Sequence, residues 1–88
     1  MYEIENSEKV DKIFRKLSRK DPKQLDAITK KLAELTEDPH RFKPLSNAMK
    51  GFRRIHFGSF VLTFSIDEDR KKVILEDYEH HDKVYRTK

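Results

Sequence analysis

Apolar residues recur in the first half of the chain at helical spacing, in two successive stripes. The first stripe consists of Val10, Ile13, Phe14 and Leu17, and the second of Leu25, Ile28, Leu32 and Leu35. Intervals of three and four residues place each set along one side of a helix. The two stripes therefore predict two amphipathic helices, and the short connection between them favours an antiparallel hairpin.

The ends of both helices carry recognisable signals. Ser7 offers an N-cap hydroxyl before the first stripe, and Glu8 adds an acid near the positive end of the helix dipole. The first helix ends near Lys20, where Asp21 and Pro22 provide a second cap and a proline at the first helical position. The second stripe ends at the sequence Glu-Asp-Pro of residues 37–39.

The second half of the chain alternates between apolar and polar residues with a period of two, which is typical of strands. One side of the best-defined strand carries Phe60, Leu62, Phe64 and Ile66, and the other carries Val61, Thr63 and Ser65. Gly58-Ser59 predicts the turn before this strand, and residues 67–70 predict the turn after it. Another strand is predicted between Gly51 and the Gly58-Ser59 turn, and a further one follows in residues 71–79. A short strand precedes the first helix, and residues 40–50 are predicted to form a loop.

The element order β-α-α-β-β-β predicts an α+β fold of two layers, with the helix hairpin packed on one face of an antiparallel sheet and the other face open. A chain of 88 residues supports one modest core, so we expect a single domain over residues 1–88. Charged residues make up 41% and the net charge is +4, but the clear apolar periodicity favours a folded chain over a disordered one. Cysteine is absent, and no apolar run is long enough for a membrane span, so we expect a cytoplasmic protein that does not act at membranes.

Positive charge is concentrated in one part of the sequence. Residues 39–66 contain no aspartate or glutamate but include Arg41, Lys43, Lys50, Arg53 and Arg54. Part of this run lies on predicted strands, so the charge would be displayed on a sheet. Such a surface indicates a polyanionic ligand, above all nucleic acid.

The segment KGFRRIHFGSFVLTF at residues 50–64 resembles RelE-type toxins of bacterial and archaeal toxin–antitoxin pairs, which have a pattern close to KGxYRIRxGxYRVxY. The closing segment YEHHDKVYR is similar to the end of the same family. The resemblance implies the RelE/ParE fold and a small toxin that enters the ribosome and cuts messenger RNA. It also implies a 2′-hydroxyl attack that needs no metal or other cofactor, no small-molecule substrate, and a RelB-like antitoxin as partner.

The resemblance also indicates site residues. Arg54 corresponds to the first arginine of the family's RIR sequence, and His56 takes the place of the second. At Val61 the chain departs from the family, which often has a phosphate-binding arginine there. Near the end, His80 matches the family's histidine, His81 replaces a common arginine, and Tyr85 matches a tyrosine. We therefore expect Arg54, His56, His80, His81 and Tyr85 to form the catalytic group, with Arg41, Lys43, Lys50 and Arg53 binding RNA.

Several alternatives remain open from the residues. The arginines of the strand are also typical of charges that keep an edge strand soluble, and the general base is one of His56, His80, His81 and Tyr85. Adjacent histidines on a strand project to opposite faces, which disfavours a metal site. Three functions fit the sequence: an mRNA endoribonuclease, a gyrase-binding toxin of the ParE kind, and a catalytically degenerate relative that binds only antitoxin or RNA.

Overall fold

The computed structural model describes residues 1–44 and 51–86, except for the side chains of residues 85 and 86. In chain order the elements are β1 (Glu3–Asn6), α1 (Glu8–Lys20), α2 (Pro22–Glu37), a 3₁₀ helix (Pro39–Arg41), β2 (Arg53–Phe57), β3 (Phe60–Asp67), β4 (Lys72–His80) and α3 (His81–Arg86). This order confirms the predicted α+β class and adds one helix after β4.

Both predicted helix caps are present. The Ser7 hydroxyl accepts a hydrogen bond from the backbone N–H of Val10 at 3.2 Å, and the Asp21 carboxylate accepts one from the N–H of Gln24 at 3.2 Å. Each bond satisfies an N–H that has no partner within its helix. Pro22 occupies the start of α2 as expected. The boundaries of the hairpin were therefore readable from the residues alone.

Over the described residues, the sheet has four strands in the order β1-β4-β3-β2. The pairs β2–β3 and β3–β4 are antiparallel, as predicted. The prediction of an all-antiparallel sheet is wrong for β1, because β1 runs parallel to β4. A parallel pair needs a long connection between its strands, and the helix hairpin together with β2 and β3 provides it.

The core lies between the helices and one face of the sheet, which we call the helix face. It is built by Val10, Ile28, Leu35, Ile55, Leu62, Phe64, Val73, Leu75 and Tyr78. All nine residues are buried. Leu62 and Phe64 come from the side of β3 that the alternation had grouped with Phe60 and Ile66, and these last two pack against the core while partly buried. The helix hairpin thus covers the face that the sequence predicted.

The other side of the sheet, which we call the opposite face, is less open than the sequence suggested. Val61 is fully buried and Thr63 is only 2% exposed, although both point away from the helix hairpin. Helix α3, which the sequence analysis did not predict, packs against β3 and β4. Short-range patterns do not show which later segment folds back onto a strand.

Within the described residues, no helix is long and apolar enough to cross a membrane.

Candidate nucleic-acid interface

The register of the three antiparallel strands arranges the opposite face in rows. Arg54 pairs with Thr63 and His56 with Val61, and on the far side Thr63 pairs with Asp77 and Val61 with Glu79. Residues paired in register project to the same face. The opposite face therefore has a basic column on β2, formed by Arg54 and His56, and an acidic column on β4, formed by Asp77 and Glu79.

The segment before β2 holds the basic column in position. The backbone N–H of Arg54 donates to the carbonyl of Lys43 at 3.1 Å, and Pro44 forms a bridge with Arg53. The Arg54 guanidinium donates through Nη1 to the carbonyl of Pro44 at 3.0 Å. These bonds fasten the segment to the outer edge of β2, so that Arg54 is oriented by the backbone beside it.

A groove of about 210 Å³ runs between this segment and β2. It is lined by Arg41, Phe42, Lys43, Arg54, Ile55 and His56. Arg41 lies over the Phe42 ring at 5.3 Å and pairs with Glu34 at 3.4 Å. Three of the lining residues are arginine or lysine, so the groove has the positive potential that a phosphate backbone requires.

The structure brings His56 and His81 together. Their ring centroids are 5.8 Å apart, because α3 starts at His81 immediately after β4 ends. Desolvation, followed by the charge of Arg54 and then by that of His81, lowers the pKa of His56 below its ordinary value of 6.5. His56 therefore favours its neutral form near pH 7, in which one ring nitrogen accepts a proton.

His80 does not join this pair. It is in register with Phe60, and its ring meets the Phe60 ring edge-on at 5.6 Å. Its Nδ1 accepts a hydrogen bond from the backbone N–H of Asp82 at 3.2 Å, which satisfies a donor in the first turn of α3. The geometry thus gives His80 a structural part in starting α3.

Arg53 is also directed elsewhere. It pairs in register with Phe64, on the helix face. Its Nη1 donates to the carbonyls of Phe42 at 2.7 Å and His40 at 3.3 Å. Arg53 therefore ties the segment before β2 to the sheet. Lys50 and the side chain of Tyr85 lie outside the described residues.

Comparison with known proteins gives the family. The family described as "ParE toxin of type II toxin-antitoxin system, parDE" matches residues 2–85. The chain belongs to this family. It is a type II toxin of the RelE/ParE superfamily, as the segment at residues 50–64 indicated.

The relatives agree with this assignment. The toxin is 48% identical over 89 residues to a Methanocaldococcus jannaschii protein named "Putative toxin RelE4", which covers 100% of this chain and 95% of the relative. Its fold is similar to the RelBE2 toxin–antitoxin complex of Mycobacterium tuberculosis, with a TM-score of 0.76, 23% identity, and coverage of 90% of this chain and 96% of that one. The intact RelBE complex of E. coli gives a TM-score of 0.75 at 21% identity, covering 91% and 96%. At these identities the solved structures show the fold alone.

One group of residues on this surface was not predicted from the sequence of the toxin. Asp77 and Glu79 share the opposite face with Arg54 and His56, and Lys9 of α1 pairs with both, at 3.0 Å and 3.3 Å. The alternation of β4 contained the signal, since both acids flank the core residue Tyr78. Only the register of β3 with β4 shows that they lie beside Val61.

The described residues contain no group of three histidine, aspartate or glutamate side chains arranged to hold a metal ion. The metal-free mechanism itself stays a prediction.

Proposed function

We propose that this toxin is a ribosome-dependent endoribonuclease that cuts messenger RNA by attack of the 2′-hydroxyl on the neighbouring phosphate. The observation that carries the proposal is the convergence of Arg54, His56 and His81 on one face, beside a groove with two further basic residues. Such an arrangement has a cation for the phosphate and two groups for proton transfer. It acts mainly by positioning and electrostatic stabilisation.

Each residue has a defined role in this reaction. His56, in its neutral form, takes the proton from the 2′-hydroxyl, whose oxygen then forms a bond to phosphorus. The bond from phosphorus to the 5′-oxygen breaks, and a protonated His81 donates a proton to that oxygen. The products are a 2′,3′-cyclic phosphate and a 5′-hydroxyl. Arg54 neutralises the charge that develops on the phosphate oxygens, with a planar guanidinium suited to two of them.

Cleavage of ribosome-bound message by an Arg54→Ala variant tests the proposal. We expect kcat to fall by about 100-fold, the usual loss when one donor to a developing negative charge is removed. Arg19→Ala is the matched control, since Arg19 lies exposed in the last turn of α1, and it should cut at the native rate. Intact message in the presence of the native toxin, at every pH across a series, would refute the nuclease.

A gyrase-binding toxin is the second candidate. The matching family description names ParE, and Val61 stands where a phosphate-binding arginine is expected. Inhibition of gyrase in a DNA supercoiling assay, with message left intact, would favour this function. A relative that binds only antitoxin or RNA would be inactive in both assays.

An antitoxin is the partner we propose for the toxin. Two structures with the same fold are toxin–antitoxin complexes. A groove of about 180 Å³ on α1, with Ile13 and Leu17 between Lys12, Lys16 and Lys20, suits an acidic segment with apolar anchors. We propose a RelB-like antitoxin here, with the ribosome and messenger RNA as the other partners in the cytoplasm. A toxin that never copurifies with an acidic, growth-restoring protein from its own host would contradict this partner.

A further inference from the structure

Helix α3 is too short to form by itself. It has six residues, His81–Arg86, whereas an isolated helix in water generally needs about 12 to 15 residues. Its start therefore depends on the contacts that it makes with β3 and β4. Since His81 is the first residue of this helix, the same contacts decide where the His81 ring lies.

Hydrogen bonds from outside the helix hold the first turn of α3, and they use N–H groups that a helix cannot satisfy internally. The backbone N–H of His81 donates to the carbonyl of Ser59, in the turn between β2 and β3, at 2.7 Å. The following N–H, that of Asp82, donates to His80 Nδ1 at 3.2 Å. His80 thus stands at the N-cap position of α3, with a ring nitrogen in place of the usual side-chain oxygen.

The His80 ring is itself held by the core. His80 is in register with Phe60, and the two rings meet edge-on with their centroids 5.6 Å apart. The Phe60 ring stacks in turn on the Tyr78 ring, with centroids 5.3 Å apart and an angle of 12° between the planes. Both arrangements are favourable for aromatic rings, and Tyr78 is only 4% exposed. Packed rings therefore connect the core to the nitrogen that accepts the Asp82 N–H.

The first turn of α3 sets the position of the His81 ring. Adjacent residues at the end of a strand project to opposite faces, so His81 projects to the opposite face while His80 lies against Phe60. There the His81 ring centroid lies 5.8 Å from that of His56. The Asp82 carboxylate lies 3.6 Å from His81 Nδ1. A displacement of this turn would move His81, and a shift of about 1 Å in a reacting group can cost about 100-fold in rate.

We infer that His80 is a positioning residue of the nuclease, which acts through the first turn of α3 to hold His81 against His56. It does not itself exchange a proton with the message, although the family resemblance placed it in the expected catalytic group. The inference rests on the proposed nuclease function and deepens it, because it gives the two adjacent histidines different tasks.

Three substitutions of His80 separate positioning from proton transfer. His80→Ala and His80→Phe both remove the acceptor, and His80→Phe keeps an aromatic ring beside Phe60. His80→Asn keeps an acceptor, because asparagine is a favoured N-cap residue, but it has no group that transfers protons near neutral pH.

Cleavage of ribosome-bound message measures the effect of each substitution. We expect kcat to fall by about 10- to 100-fold in His80→Ala and His80→Phe, with KM changed by less than about twofold, because the message is bound as before but His81 is misplaced. His80→Asn should keep kcat within about threefold of the native value. An asparagine variant as inactive as the alanine variant would overturn the inference, since that result is expected of a group that transfers a proton.

Combination with His81→Ala shows whether His80 acts through His81. His80→Ala should lower kcat in the native toxin but have no further effect in the His81→Ala variant, since the ring that it positions is then missing. Losses that multiply would assign His80 an independent role and would overturn the inference.

Ser7→Ala is the matched control for the loss of a helix cap. The Ser7 hydroxyl also accepts an N–H in the first turn of a helix, at 3.2 Å, but in α1. This variant should lower the urea midpoint and leave kcat at the native value. An equal fall of kcat in Ser7→Ala and His80→Ala would show that His80→Ala acts through stability alone, which would also overturn the inference.

A measurement without message separates this inference from the nuclease itself. Nuclear Overhauser effects between the ring protons of His56 and His81, recorded on the purified toxin, report the contact between the two rings. They should be present in the native toxin and in His80→Asn, and absent in His80→Ala and His80→Phe. If the toxin cuts message and the contact persists in His80→Ala, the inference is wrong and the nuclease stands. If the native toxin cuts no message, the nuclease falls, and the role of His80 in catalysis falls with it.

Discussion

The two faces of the sheet are built from the same three strands but are organised differently. The helix face carries a continuous apolar core from Ile55 through Leu62 to Tyr78. The opposite face carries polar and charged side chains in register, with Arg54 and His56 on β2 and Asp77 and Glu79 on β4. Burial stabilises the first face, whereas the second face has little apolar area except at Val61.

The difference separates stability from function. Substitutions on the helix face remove buried atoms that touch many neighbours, so they change the free energy of unfolding. Substitutions of exposed ion pairs on the opposite face cost little, because solvent screens them. We therefore expect stability and activity to respond to different sets of residues, and three further measurements test this division.

The largest effect is expected from Phe64→Ala. Phe64 is fully buried, and its ring meets the Phe42 ring at 6.2 Å. Truncation removes the ring and leaves a cavity, which should lower the free energy of unfolding by about 3 to 5 kcal/mol. Urea denaturation measures the change. Asp77→Asn, on the opposite face, should change the free energy of unfolding by less than about 1 kcal/mol. Equal losses in the two variants would contradict the expected difference between the faces.

An intermediate effect is expected at alkaline pH from Tyr78. Desolvation, with a smaller contribution from the charge of Asp21, raises the pKa of Tyr78 from 10.0 to about 12. The folded state keeps the phenol protonated, so this contribution is complete below pH 10 and is lost as pH rises towards 12. We expect a loss of about 2 to 3 kcal/mol over that interval.

The Tyr78 phenol also donates a hydrogen bond to the Gln24 side chain. Replacing Tyr78 by phenylalanine therefore removes both this bond and the ionisable group. Tyr78→Phe should lower stability at neutral pH by about 1 kcal/mol but remove the tyrosine-dependent loss at high pH. Absorbance of tyrosinate during the same titration identifies the late ionisation. A variant that loses stability above pH 10 as steeply as the native toxin would contradict the assignment.

The smallest effect on stability is expected from His56. Its pKa is lowered in the folded state, so the unfolded chain binds a proton more readily and stability falls as pH drops from 6.5 through the folded value. His56 is exposed, and the screened effect should be a few tenths of a kcal/mol. His56→Gln should flatten this part of the urea-midpoint profile. It should also abolish cleavage if His56 is the base, which would give the sharpest contrast between the two faces.

Much of the helix face was predictable from local patterns. The caps at Ser7 and Asp21 and the alternation around Leu62 depend on residues close together in sequence, and these predictions are confirmed. The family resemblance was also predictable, because it depends on contiguous residues. The parallel direction of β1 and the return of α3 to the sheet were not, since both depend on contacts between segments far apart in the chain.

The candidate site was likewise predictable only in part from the sequence. The family resemblance indicated Arg54 and His56, and it placed both His80 and His81 in the expected catalytic group. The structure separates them: the helix that begins at His81 brings this residue to His56, while His80 lies against Phe60. The alternation of period two stops at the end of β4. It therefore does not show which residues the two histidines contact.

By itself, the sequence determined the helix hairpin, the core-facing side of the strands and the basic run before and within β2. These follow from apolar periodicity and composition, which are properties of neighbouring residues. Only the tertiary structure decided that two carboxylates of β4 and a lysine of α1 share a face with that basic run. The physical reason is that strand register and the packing of a helix past a sheet edge are fixed by the whole core, and no local segment encodes them.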